Sequence, residues 1–91
     1  MKPIADTAEL QHRHDDGQGY IYNDFAGQGL QGASFNILHK ATCRWLGIGT
    51  VPPPKLFFLS YDAAVSWLNA NRGPEGKNWK RCAASNCDCF A

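Results

Sequence analysis

His39 and Cys43 stand four apart in Leu38-His39-Lys40-Ala41-Thr42-Cys43, and three more thiols, Cys82, Cys87 and Cys89, close the chain. Zinc takes four borderline-soft ligands in a tetrahedron, commonly delivered as two close pairs. His39 and Cys43 make one pair, and Cys82 with Cys87 or Cys89 makes the other. Four residues separate Cys82 from Cys87, a knuckle-like spacing, whereas Asp88 alone separates Cys87 from Cys89 and strains joint coordination of one ion. The expected ligands are therefore His39, Cys43, Cys82 and Cys87, with Cys89 spare and zinc as the cofactor. Two other readings compete. Buried cysteines serve as small hydrophobes, with His39 a hydrogen-bonded edge residue. A thiol nucleophile is the other: Cys43 has His39 as a neighbouring base, but no third, orienting group can be named.

The elements that must position these residues are legible in part. The aromatic and β-branched stretch 19–25 is bounded by Gly17, Gly19 and Gly27 and reads as a strand. Residues 33–39 read as a second strand, with Phe35, Ile37 and His39 on one face. Residues 40–46 read as a short helical or knuckle-like turn, either of which brings His39 and Cys43 together. Gly47, Gly49 and Pro52-Pro53-Pro54 form a loop, since three prolines cannot join a central ladder. Lys55-Leu56-Phe57-Phe58-Leu59 is a near-continuous apolar run and reads as a strand covered on both faces. Ser60 is an N-cap with Asp62 in the first turn, Tyr61, Ala64, Val65 and Leu68 recur at helical spacing, and Gly73-Pro74 stops the helix. Trp79 is expected over the metal site or closing the core. The expectation is a small α+β domain: two or three antiparallel strands, near 20–25, 33–39 and 55–60, packed on one main helix near 61–72. Residues 1–18 are polar without a clear period and read as a flexible tail, with the makings of one helical turn at 8–13; residues 19–91 form the single domain.

With 91 residues, 44% apolar and 19% charged, the composition is that of an ordinary small globule, which gains from a staple such as a metal. No apolar run approaches the ~20 residues that cross a bilayer, and the N-terminus lacks the apolar core of a signal peptide. The expected location is the reducing cytoplasm, where clustered cysteines are metal ligands or reactive thiols more often than disulfides. The net charge of +1 is uneven: residues 1–38 carry −3 and residues 39–91 carry +4. Lys40, Arg44, Lys80 and Arg81 flank the proposed ligands, and Trp45 and Trp79 offer rings on which bases stack. These six residues are the expected nucleic-acid contacts, against the plainer reading of solvated charges.

The order of strand, His-x3-Cys, apolar strand, helix and closing cysteine pair resembles small uncharacterised bacterial domains, some thought to travel with restriction or nuclease modules. In this chain the resemblance runs through 37–44, 56–59, 60–64 and 79–87, with 19–23 as the first strand. More distantly it resembles the zinc-binding module of the Ada DNA-repair protein. It implies a small α+β fold with a site built from His39, Cys43, Cys82 and Cys87, and it hands over no activity. The chain departs from that pattern in placing four residues, not two, between the closing cysteines. Three function classes follow: a non-catalytic zinc module that binds nucleic acid or a protein partner, a metal-free small interaction protein, and an enzyme or accessory module of a nuclease or restriction system. Catalysis has the least support, because no paired carboxylates, phosphate-binding glycine loop or nucleophile triad is present.

Overall fold

The computed structural model describes residues 1–25, 36–43 and 54–82. Arg44, Trp45, Cys87 and Cys89, the first residues of the expected second strand, and most of the glycine- and proline-rich loop lie outside them. The element order is β1 (Lys2–Pro3), α1 (Thr7–Asp16), β2 (Tyr20–Asn23), β3 (Ile37–Lys40), β4 (Lys55–Phe58), α2 (Tyr61–Asn71) and β5 (Lys80–Arg81). The strands form one sheet in the order β1-β4-β2-β3-β5. All pairs are antiparallel except β3 with β5, which is parallel. The fold is a small α+β domain, as expected, but the sheet is mixed and has five strands rather than two or three. A second helix, α1, joins the expected one.

Alternation along the strands sorts the core into two layers. Ile21 and Phe57 lie on one face with Ile4, Leu10, Ala41, Cys43 and Cys82. Tyr22, Leu38, Leu56 and Phe58 lie on the other with Ala64, Leu68 and Trp79. Each face therefore carries one helix, which explains why β4 is buried along its whole length. On the α2 face Asp24, only 5% exposed, is held by Arg72 through bonds of 3.0 and 2.6 Å. The Arg72 guanidinium in turn lies over the Trp67 ring.

Both helices begin as their sequences dictate. Ser60 Oγ accepts the Ala63 N–H at the start of α2. In α1 the Asp6 carboxylate accepts the Glu9 N–H while Glu9 accepts the Ala5 N–H, a reciprocal arrangement close to a capping box. Gly17 ends α1 in the left-handed region at φ 73°. The stretch 1–18, expected as a tail, thus carries β1 and α1. Its apolar content is slight, but Leu10 is fully buried and Ile4 nearly so.

Candidate metal centre

β3 carries His39 to the α1 face of the sheet, opposite Leu38 and Lys40. The chain then turns tightly, with the Cys43 N–H donating to the Lys40 carbonyl at 3.0 Å. Two contacts fix this turn. The Ala41 N–H donates to the Gly19 carbonyl, and His14 Nδ1–H on α1 donates to the Ala41 carbonyl at 2.9 Å. Cys82 arrives from the opposite direction. The parallel register of β3 with β5 pairs Leu38 with Arg81, so the next residue of each strand, His39 and Cys82, lie side by side. The Cys82 N–H donates to the Leu38 carbonyl at 2.9 Å and holds that position.

The three side chains converge. His39 Nδ1 is 3.3 Å from Cys43 Sγ, and Cys43 Sγ is 3.8 Å from Cys82 Sγ. One donor atom from each lies within 4.8 Å of the others, and all three residues are buried. Burial, and secondarily the charge of Lys55, pushes the His39 imidazole down to about pKa 4, so it is neutral at neutral pH as a metal ligand must be. No protein-family model, curated protein or solved structure matches this chain. The site is therefore judged on its own donors.

The surroundings fit a metal-bound imidazole. Asn23 Nδ2 lies 3.4 Å from His39 Nε2, while Asn23 Oδ1 is buried with no hydrogen-bond partner. The two ends of an amide are interchangeable in such an assignment. Turned over, the amide presents Oδ1 to an Nε2–H, which satisfies the orphaned oxygen and leaves the Nδ1 lone pair facing the two sulfurs. An outer hydrogen bond that fixes the ring tautomer is the usual companion of a ligating histidine. Sequence reading missed Asn23, because its approach to His39 follows from the antiparallel pairing of β2 with β3 rather than from any local spacing.

The sulfurs are not in one redox state. Cys82 is a free thiol, whereas Cys43 is disulfide-bonded. Sequence reading favours metal ligands or reactive thiols over disulfides, and Cys43 is in a disulfide instead. A metal needs Cys43 as a thiolate, so disulfide and metal are alternative fates of one sulfur atom. Clustering explains both, since sulfurs close enough to share an ion are close enough to oxidise.

The residues expected to touch nucleic acid are dispersed. Lys40 and Lys80 are exposed, on opposite faces of the β3–β5 edge by strand alternation. Arg81 is exposed and donates to Glu75 at 2.6 Å and to the Tyr61 hydroxyl at 3.1 Å. Trp79 is fully buried, with its ring N–H donating to the Gly73 carbonyl. It closes the core beside α2 and has no free ring face for a base. Among the described residues no helix is long and apolar enough to cross a membrane.

Proposed function

We propose that this chain is a small, non-catalytic zinc module in which the metal staples the turn after β3 to β5 and supports an edge that binds nucleic acid. The observation that carries the metal reading is the convergence of one imidazole and two sulfurs within 4.8 Å. A nitrogen and two thiolates suit zinc better than the oxygen-preferring cations. The chain's resemblance to zinc modules of the Ada kind accords with this, with Cys87 as the fourth ligand. Support for nucleic acid is the +4 charge of residues 39–91 together with exposed Lys40 and Lys80 on the β3–β5 edge, one on each face of the sheet.

Metal analysis of the purified, reduced protein tests the first step, with one zinc per chain expected. Retention of single- and double-stranded DNA and RNA at ~50 mM salt tests the second. Replacing Lys40 and Lys80 with alanine should flatten the salt dependence by about two units of slope without unfolding the domain. Zinc content without any retention leaves the metal module standing and removes the nucleic-acid role.

One observation favours a protein partner instead. Leu59 is 80% exposed and Met1 54%, and both line a cavity of about 400 Å³ with Phe57, Phe58, Lys2 and Arg13. Met1 and Leu59 are the large exposed apolar groups of that lining, and a partner that covered them would bury apolar surface. Leu59→Asp should abolish such an association and leave nucleic-acid retention intact.

A further inference from the structure

The β1–β4 edge of the sheet joins apolar walls to a cationic corner. A cavity of about 400 Å³ opens there, in the lower part of the ~300–1,000 Å³ range of small-ligand sites. Phe57, Phe58, Leu59 and Ala63 supply apolar lining, and Lys2 and Arg13 supply positive charge. The fold brings the two cations together. Lys2 is the register partner of Phe57, so both side chains issue onto the α1 face. Arg13, on α1, lays its guanidinium 4.0 Å from the centre of the Phe57 ring.

The polar groups of this corner stop short of one another. Glu9 Oε1 is spent on the Ala5 N–H at the start of α1. Glu9 Oε2 stands 3.7 Å from Lys2 Nζ and 4.0 Å from Arg13 Nε, beyond hydrogen-bond length. Glu9 Oε2 and Arg13 Nε are both buried without a hydrogen-bond partner. The guanidinium is thus held by the Phe57 ring and by a distant carboxylate, and it donates no hydrogen bond among the described residues. Its side chain is only 22% exposed, so water replaces few of the missing bonds. Charge is unbalanced as well. Lys2 and Arg13 share the one carboxylate of Glu9, which leaves one positive charge in excess.

These groups bear on the cavity independently of the metal centre, and from them we infer that it is a binding site for a small amphipathic monoanion, a carboxylate carried on an apolar body. The carboxylate accepts from the planar fork of Arg13 and from Lys2, and cancels the excess charge. The apolar body covers Leu59, 80% exposed, and packs on Phe57, Phe58 and Ala63. A wholly apolar occupant would cover Leu59 equally well but would desolvate the two cations with nothing to pair them.

The test uses the full chain, with octanoate as the probe and 1-octanol as its uncharged counterpart. Both are titrated at ~50 mM salt and followed by backbone amide chemical shifts. Octanoate should shift the amides of Lys2, Phe57, Leu59 and Ala63, and should bind at least ~10-fold more tightly than octanol. Arg13→Gln should erase that preference, weakening octanoate at least ~10-fold and leaving octanol within about 2-fold. Leu59→Ala should weaken both ligands alike, by ~3-fold or more. A residue that merely supports the fold would move the two ligands together. Should Arg13→Gln not fold, Lys2→Gln, at a side chain 63% exposed, makes the same comparison with the preference cut about 3-fold. Equal affinity of the parent for octanoate and octanol, a preference that survives in the neutral variant, or no shift at ~5 mM octanoate overturns the inference and leaves the protein-partner reading of Leu59 standing.

Discussion

Tyr22 carries its hydroxyl into the layer beneath α2, fully buried and without a hydrogen-bond partner. Burial first, then the negative charge of Asp24, push its ionisation well above the ordinary tyrosine range, with Arg72 acting in the other direction. The folded state therefore keeps a proton that the unfolded chain releases near pH 10. Stability should fall as pH rises above 10, since the folded state then binds more protons than the unfolded one. Tyr22→Phe should flatten that alkaline limb, and at pH 7 should be neutral or stabilising by up to about 1 kcal/mol, because it removes an orphaned hydroxyl. Chemical denaturation at pH 7 and pH 10.5 checks both. Asn23 makes a second residue-scale prediction. Asn23→Ala should weaken zinc binding by about 10- to 100-fold, while Asn23→Asp, which still accepts from Nε2–H, should retain it. Chelator competition reads the difference. The His39–Cys43 pair was legible because its geometry is local. Asn23 and Lys55 were not, because their relation to His39 is created by pairing β2 with both β3 and β4.

Among the elements, those with strong internal signals were the legible ones. The capped, periodic α2 and the apolar β4 fall where sequence places them, at Tyr61–Asn71 and Lys55–Phe58. α1 was legible only as the makings of one turn at 8–13, because Leu10 is its one buried residue and a single apolar position has no period. β5 was hidden for a related reason. It has two exposed residues, and its place is set by bonds from Lys80 to Asn36 and from Cys82 to Leu38. The candidate site depends on these inconspicuous elements, since α1 braces the Cys43 turn through His14 and β5 delivers Cys82. The junction of α1 with β2 is tightly constrained. Gly19 has φ 82°, and a β-carbon there would sit 2.5 Å from the Phe58 carbonyl oxygen. Gly19→Ala should therefore destabilise the domain by about 3 kcal/mol or more, from combined backbone strain and collision with a fixed carbonyl. The shift of the urea midpoint measures it. A loss below about 1 kcal/mol would mean that the chain at residue 19 moves away from the Phe58 carbonyl at little cost.

At the scale of the whole molecule the metal-site face and the α2 face are closed by different means. The α2 face buries Trp79, Tyr22, Phe58 and Leu68. The opposite face has smaller groups, among them Ala41, Cys43 and Cys82, and a helix that contributes one buried leucine. A domain of this size has little surplus stability, so a cross-link on the thinner face weighs heavily. Cys43 supplies it as one end of a disulfide and could supply it instead as a metal ligand, but its sulfur cannot be both. Zinc and oxidation should therefore compete. For reduced protein at a free zinc concentration 100 times the dissociation constant, binding should add about 2.7 kcal/mol. In a domain of this length that raises the melting temperature by about 10 °C or more. The oxidised protein should melt above the reduced, metal-free form and show no zinc-dependent shift. Excess chelator should return only the reduced protein to its metal-free melting temperature. Four thermal scans, oxidised and reduced, each with and without zinc, decide the matter. An equal zinc shift in both redox states would show that Cys43 is not a ligand.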